Sequence, residues 1–131
     1  MESNYSVQIE EYAKRHFIKS FEKKYNSQWS VTLKSIIFEL ERVDNFLKTD
    51  RAEIICDSVD IKILKTKFRI ARSKESAKSS GNRCIVAWHT KDRFVSMLLV
   101  YGKTDLSSKN KETDEWKRII KDNYPKYKHL F

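Results

Sequence analysis

Two apolar segments separated by a short polar turn constrain the fold of this chain more than any other feature. They read RCIVAWHT and FVSMLLVYGK, and TKDR lies between them. A short polar connection between two apolar segments of this length predicts a β-hairpin. Because both segments are apolar almost throughout, they are expected to be central strands whose faces are covered.

Before the hairpin, the sequence alternates with the period of a β-strand from Asp60 onward. One predicted face holds Ile61, Ile63, Lys65, Lys67 and Arg69, and the other holds Leu64, Phe68 and Ile70. The polar segment ARSKESAKSSGN then predicts a long loop. A short alternation at Tyr5, Val7 and Ile9 predicts an edge strand near the start of the chain.

Three segments have the spacing of amphipathic helices. The first begins at Glu10, the second follows a cap at Asn26 or Ser27, and the third runs from about Glu112 to Pro125. No helix or strand is predicted for the connector TDRAEIICDSVD. The predicted order is β-α-α-β-β-β-α, an α+β fold with a small antiparallel sheet of about four strands. An N-terminal helical pair is expected on one face, with a C-terminal helix, in a single domain spanning residues 1–131.

The net charge of +9 is concentrated in the second half of the chain. Residues 1–60 carry 9 basic and 11 acidic side chains, whereas residues 61–131 carry 18 and 7. A one-sided basic field fits nucleic acid, an anionic membrane or an acidic protein partner, and a merely soluble surface is the plain alternative. Membrane binding fits less well, because the cations fall on a strand and a loop rather than on an amphipathic helix.

Several other classes are disfavoured by the sequence. No apolar run approaches the roughly 20 residues of a membrane-spanning helix, and the acidic N-terminus is unlike a secretory signal. We therefore expect a cytoplasmic protein. Cys56 and Cys84 are too few for a disulfide framework, and the histidines show no metal-ligand spacing, so neither a metal nor a cofactor is expected.

A basic strip is predicted on the sheet, with further cations in the loop above it. The strip consists of Lys65, Lys67, Arg69 and Arg83, and the loop adds Arg72, Lys74 and Lys78. Alternate side chains of one strand point the same way and lie roughly 6–7 Å apart. Such a strip fits the way in which proteins hold a polyanion backbone, although a solvated sheet face is the alternative.

Metal-free cleavage of RNA is one reaction that such a strip supports. The 2′-hydroxyl attacks the adjacent phosphorus, and cations stabilise the charged phosphorane. A histidine, a tyrosine or a desolvated lysine acts as acid or base. The histidines and tyrosines near the basic half are His89, Tyr101, Tyr124, Tyr127 and His129.

The order of elements and three short motifs resemble the RelE/ParE superfamily of bacterial type II toxin–antitoxin systems. The motifs are the strand LKTKFRIA, the Gly-x-Arg start of GNRCIVAW, and FVSMLLVYGKTD before the C-terminal helix. The resemblance covers roughly residues 5–122. It implies a small cytoplasmic toxin, an endoribonuclease that cleaves mRNA in the ribosomal A site and is neutralised by a cognate antitoxin.

The resemblance also implies roles for individual residues. Lys65 and Lys67 match lysines that bind substrate or assist catalysis, and Arg83 matches the arginine that stabilises the phosphate in the transition state. Lys103 matches the lysine of the turn after the last strand, where it would bind substrate.

The sequence departs from the family after that turn. Thr104 and Asn110 stand near the places of a further arginine and a catalytic tyrosine, so His89 or His129 would substitute in proton transfer. The predicted catalytic residues are Arg83, Lys67 and His89. The predicted RNA-binding residues are Lys65, Arg69, Arg72, Lys74, Lys78 and Lys103. Two other functions stay open: a non-enzymatic inhibitor of DNA gyrase from the same superfamily, and a nucleic-acid-binding module without catalysis.

Overall fold

Within residues 4–102, 105–106 and 112–131, which the computed structural model describes, five strands form one sheet. The strands are β1 (Ser6–Ile9), β2 (Ala52–Asp57), β3 (Ile61–Lys67), β4 (Arg83–His89) and β5 (Phe94–Tyr101). Their order across the sheet is β1-β5-β4-β3-β2. β1 runs parallel to β5, and the other neighbouring pairs are antiparallel.

In the described part of the chain, two longer helical segments precede β2 and one follows β5. The first, α1, combines α-helical Glu11–Ala13, π-helical Lys14–Ile18 and α-helical Lys19–Tyr25. The others are α2 (Ser27–Glu41), the short α3 (Val43–Phe46) and α4 (Ala77–Ser80), α5 (Glu112–Asn123), and a C-terminal 3₁₀ segment (Pro125–Leu130). The predicted α+β fold, with its N-terminal helical pair and C-terminal helix, is confirmed.

The sheet has one more strand than the sequence predicted. β2 lies within the connector to which no element was assigned, and it forms the edge of the sheet beside β3. The pairing register between β2 and β3 shifts between Ile54 and Cys56. Such an irregularity breaks the alternation of apolar and polar residues that reveals a strand.

β3 and β4 present the basic residues on one face of the sheet. Residues directly opposite each other on paired strands share a face, and alternate residues share it along a strand. Lys67 is paired with Arg83, and Lys65 with Ile85, so these four side chains lie on one face. The predicted face of Lys65, Lys67 and Arg83 is therefore confirmed.

The two faces are covered by different helices. Phe21 of α1 and Trp29 of α2 contact Phe68, the residue that follows β3. The Phe68 N–H still donates to the Asn82 carbonyl oxygen at 3.2 Å, so the pairing with the β4 side continues for this one residue and Phe68 lies on the face opposite Lys67. Glu112 of α5 forms an ion pair with Lys65 on the basic face. The C-terminal helix therefore lies over the same face that carries the basic strip.

The residues after Pro125 are part of the core rather than a loose tail. Tyr127 is fully buried, and the Tyr124 hydroxyl donates a hydrogen bond of 2.7 Å to the Leu98 carbonyl oxygen. Phe131 packs edge-on against Trp116, with ring centroids 5.9 Å apart. In the part of the chain that the structure describes, no helix has the length and apolarity needed to cross a membrane.

Candidate nucleic-acid interface

Three polar side chains form one row across the central strands of the basic face. Arg83 pairs with Lys67 on β3 and with Tyr101 on β5. Neighbouring strands lie about 4.8 Å apart, so this row spans roughly 10 Å between the backbones of Lys67 and Tyr101. Lys65 lies two residues from Lys67 on the same face of β3. We define the basic strip from here on as Lys65, Lys67 and Arg83.

Arg83 is held in place by the loop that precedes it. Its Nη1 donates to the carbonyl oxygens of Asn82 at 2.9 Å and Ala77 at 3.3 Å, and its Nη2 donates to that of Lys78 at 3.1 Å. A planar guanidinium has five donors, so it can satisfy these carbonyls and still present N–H groups elsewhere. Arg83 is half-buried, which fixes its position while leaving part of it exposed to solvent.

The loop that holds Arg83 is more ordered than the predicted polar loop. Ser76 caps α4: its side chain accepts from the Ser79 N–H, and the Ser79 side chain accepts from the Ser76 N–H. Gly81 ends α4 with a φ of 76°, a left-handed conformation that costs glycine little. The capping pattern Ser-x-x-Ser and the following glycine are the sequence signals of this helix.

A carboxylate from α5 occupies the strip. Glu112 Oε2 lies 3.0 Å from Lys65 Nζ, and the Tyr101 hydroxyl donates a hydrogen bond to the same oxygen. The Lys65 side chain is 16% exposed and that of Glu112 is 34% exposed, so the pair is partly shielded from solvent. The sequence did not identify Glu112 as a site residue. Its position in the first turn of a helix does not indicate which strand the side chain will contact in the folded protein.

The charges of this cluster shift the pKa values of its members. Burial raises the pKa of Glu112, but hydrogen bonds from Tyr101 and Lys65 and the charges of Lys65 and Arg83 outweigh it and hold that pKa below its ordinary value. Burial, and then the hydrogen bond and charge of Glu112, raise the pKa of Tyr101 far above its ordinary value. At neutral pH Glu112 is therefore an anion and Tyr101 a neutral donor.

His89 is not brought together with the other two predicted catalytic residues. It lies at the opposite end of β4 from Arg83, roughly 20 Å away at about 3.3 Å per residue. It is buried, stacks on Phe94 at 4.0 Å between ring centroids, and shares a hydrogen bond of 2.7 Å with the Tyr127 hydroxyl. These contacts give His89 a place in the core and leave it out of reach of a phosphate held by Arg83.

Arg69 does not lie on the basic strip, contrary to the prediction. β3 ends at Lys67, so the alternation no longer applies two residues later. Arg69 is exposed, donates to the Ser73 carbonyl oxygen at 3.3 Å, and lines a cavity of about 530 Å³ with α2 residues such as Val31 and Ser35. It therefore faces the side of the molecule covered by α2.

The loop cations point to more than one side. Arg72 has a left-handed φ of 69° and lines a cavity of about 470 Å³ with Lys24 and Tyr25 of α1. Acidic Glu75 and Asp105 line the same cavity, so its charge is mixed. Lys74 and Lys78 are exposed, and the structure shows Lys78 meeting Arg83 through its backbone carbonyl. Lys103 lies outside the described residues.

The fold is similar to that of a chain in a solved structure. The crystal structure of the archaeal RelE–RelB complex from Pyrococcus horikoshii OT3 contains a chain that superposes with a TM-score of 0.53, over 76% of this chain and 96% of that chain. The sequence identity is 13%. No family profile matches the sequence, and no curated protein matches it. The order of elements, the mostly antiparallel sheet and this superposition together show that the chain has the RelE fold.

Proposed function

We propose that this chain is the toxin of a toxin–antitoxin pair and that it cleaves mRNA as a metal-independent endoribonuclease in the ribosomal A site. The observation that carries the proposal is the row of Lys67, Arg83 and Tyr101 on the sheet of a RelE fold. Two cations and a neutral hydroxyl donor at adjacent cross-strand positions match the charge that develops on a phosphorane. The proposed location is the cytoplasm, where mRNA is translated.

The chemistry assigns a role to each residue of the row. The RNA 2′-oxygen attacks the adjacent phosphorus, its proton passes to solvent, and the 5′-oxygen leaves to give a 2′,3′-cyclic phosphate. Arg83 stabilises the charge on the phosphorane, because its guanidinium is fixed by loop carbonyls before substrate arrives. Lys67 donates a proton to the departing 5′-oxygen, and Lys65 binds a neighbouring phosphate.

His89 has no catalytic role in this proposal, and neither does Tyr101 as a base. His89 lies at the far end of β4 and is bonded to Tyr127. The raised pKa of Tyr101 keeps its hydroxyl protonated at neutral pH, so it donates hydrogen bonds rather than accepting the 2′ proton. Tyr101 is buried with its hydroxyl bonded to Glu112, so in this proposal it donates to a non-bridging phosphate oxygen only when that phosphate takes the place of the carboxylate.

An antitoxin is the proposed protein partner. RelE in the superposed structure is bound to RelB, and we extend this arrangement to the present chain. Residues 61–131 carry 18 basic and 7 acidic side chains, so an acidic segment would be attracted to this half of the molecule. Covering the basic strip would prevent mRNA from reaching Arg83.

The test is tightly controlled expression of wild type, Arg83→Ala and Arg69→Ala, followed by mapping of the 5′ ends of cellular mRNAs shortly after induction. The Arg69→Ala variant removes the same charge from an arginine that lies off the strip. We expect new cuts within coding sequences for wild type and Arg69→Ala, and none for Arg83→Ala. Circular dichroism of the purified variants checks that loss of the Arg83 contacts has not unfolded the chain, and Lys67→Ala provides a second strip variant.

Each contrary result points to a different function. Growth arrest with intact mRNA would reject the ribonuclease and favour a toxin that acts on DNA gyrase or another target. RNA binding without arrest or cuts would leave a nucleic-acid-binding module as the better account. Cuts that persist in both Arg83→Ala and Lys67→Ala would show that the basic strip is not the catalytic site.

A further inference from the structure

Glu112 lies where the proposed function requires a phosphate to lie. Its carboxylate oxygen accepts from both Lys65 Nζ and the Tyr101 hydroxyl. Both donors belong to strands of the basic face, whereas Glu112 is the first residue of α5. Lysine ammonium groups bind carboxylates and phosphates through the same charge-assisted hydrogen bonds.

We propose that Glu112 is an intramolecular competitor for the RNA phosphate, so that the start of α5 must leave Lys65 and Tyr101 before substrate can bind. This inference rests on the proposed function, because it takes the basic strip as the phosphate site. The carboxylate stands in for a phosphate and keeps the strip neutralised until a polyanion displaces it. In this proposal, the structure with Glu112 bonded to Lys65 and Tyr101 is the closed form of the site.

Two other roles for Glu112 are less well supported. An acidic residue in the first turn stabilises a helix through the helix dipole, but this requires no contact with the sheet, and Asp114 serves the same purpose while exposed. A catalytic base would need a pKa near the operating pH, whereas the hydrogen bonds from Tyr101 and Lys65, together with the nearby positive charges, outweigh burial and hold the pKa of Glu112 below its ordinary value. Neither role explains why one oxygen bonds both Lys65 and Tyr101.

The closed form is weak enough to open. The Glu112 side chain is 34% exposed, so water competes with Lys65 and Tyr101 for its carboxylate and weakens both contacts. An RNA phosphate offers more than one acceptor oxygen and is followed along the chain by further phosphates, so it can engage Lys65, Lys67 and Arg83 at once. Displacement of one carboxylate by several phosphates is therefore favourable.

The matched variants are Glu112→Gln and Asp114→Asn. Both remove one negative charge from the first turn of α5 and keep the side-chain shape, but Asp114 is exposed and serves as the control. The probe is a fluorescent 2′-O-methyl oligoribonucleotide, which cannot be cleaved because its 2′-oxygen carries no proton. Its dissociation constant is measured by fluorescence anisotropy with the full chain at low salt.

We expect Glu112→Gln to bind the probe about threefold to tenfold more tightly than Asp114→Asn does, which corresponds to roughly 0.7–1.4 kcal/mol. We also expect probe binding to the wild type to increase amide hydrogen exchange in the second turn of α5, residues 116–119, whose N–H groups bond the carbonyl oxygens of the first turn. Equal affinity of the two variants, or unchanged or slower exchange in that turn, would overturn the proposal.

Cleavage of the mRNA on programmed ribosomes separates this inference from the proposed function, because the proposed cut is made in the ribosomal A site. Tighter binding by Glu112→Gln without cleavage by either protein would support the competitor and reject the nuclease. Cleavage by the wild type that Glu112→Gln abolishes at unchanged probe affinity would overturn the competitor and make Glu112 a catalytic residue. Absence of probe binding by every variant would overturn the competitor, and cleavage on the ribosome would then decide the nuclease separately.

Discussion

Lys67 lies directly opposite Arg83 across β3 and β4, so two cations face each other on one side of the sheet. Like charges in directly opposite positions destabilise a sheet, typically by about 0.2–1 kcal/mol. A pair that costs stability in the free protein is expected where an anion binds, because the anion relieves the repulsion. This relationship is the physical reason for placing the phosphate between β3 and β4.

Replacing Lys67 with Gln should make the folded protein more stable and its binding of RNA weaker. We expect the free energy of unfolding to rise by about 0.5 kcal/mol at low salt, because the repulsion with Arg83 is lost, and the gain to shrink as salt screens the charges. Binding of single-stranded RNA should weaken, and the slope of log affinity against log salt should become shallower by about 0.7. Urea unfolding and fluorescence anisotropy at several salt concentrations measure the two effects.

The control for this prediction is Lys74→Gln, which makes the same charge change in an exposed loop residue. It should leave the unfolding free energy unchanged and weaken RNA binding less than Lys67→Gln does. Equal losses of RNA affinity in the two variants would mean that the RNA responds to the overall charge rather than to the strip.

Tyr101→Phe should destabilise the protein, because it removes the hydrogen bond to Glu112. The Tyr101 hydroxyl donates to a carboxylate that is 34% exposed, and a hydrogen bond discounted for this exposure contributes about 0.5–1.5 kcal/mol. We therefore expect Tyr101→Phe to lower the unfolding free energy by about this amount at pH 7. In a double-mutant cycle with Glu112→Ala, the second substitution should cost much less than it does alone. Additive losses would show that the two side chains do not interact in solution.

Much of this fold follows from the periods of the sequence, and the exceptions have physical causes. The hairpin of β4 and β5 and the basic face of β3 were predicted because alternation and apolar runs report a regular strand. β2 was missed because the register shift between Ile54 and Cys56 interrupts that alternation. Arg69 was placed on the strip because alternation alone does not show that β3 ends at Lys67.

The candidate site was less predictable than the fold. Lys67 and Arg83 were found because their strands are adjacent in the sequence and their pairing follows from the connection between them. Glu112 reaches the strip only through the packing of α5 on the sheet, which is a long-range contact without a sequence signature. His89 was predicted from its chemistry, and the five residues between it and Arg83 put it at the other end of β4.

Ser80→Ala should loosen the loop that holds Arg83. The buried Ser80 hydroxyl donates to the Phe68 carbonyl oxygen at 2.7 Å and accepts from the Asn82 N–H at 3.0 Å. Removing it leaves these backbone groups without that partner, which typically costs about 1–3 kcal/mol. We expect a lower unfolding free energy and weaker RNA binding, whereas Ser35→Ala on the exposed side of α2 should change neither. A variant that loses stability but binds RNA normally would show that Arg83 does not depend on this loop.

His89 should make the protein less stable in acid. Burial and the charge of Lys126 lower its pKa, and Asp92 and Glu10 oppose the shift only in part. The folded chain therefore holds this proton less tightly than the unfolded chain, whose histidine has a pKa of about 6.5. Stability is fully present above the unfolded pKa and falls as the pH drops through that value toward the folded pKa, because protonation favours the unfolded state.

Thermal unfolding of the wild type, His89→Phe and His129→Gln between pH 7.5 and 5 tests whether His89 lowers the stability as the pH falls. His89→Phe cannot take up the proton and keeps a ring to stack on Phe94, so its loss of stability over this range should be smaller than that of the wild type. His129 is exposed, so His129→Gln should follow the wild type. If His89→Phe shows the same pH dependence as the wild type, other groups cause the acid sensitivity. The buried contact with Tyr127 would then hold His89 in the core without making it a pH-sensitive element.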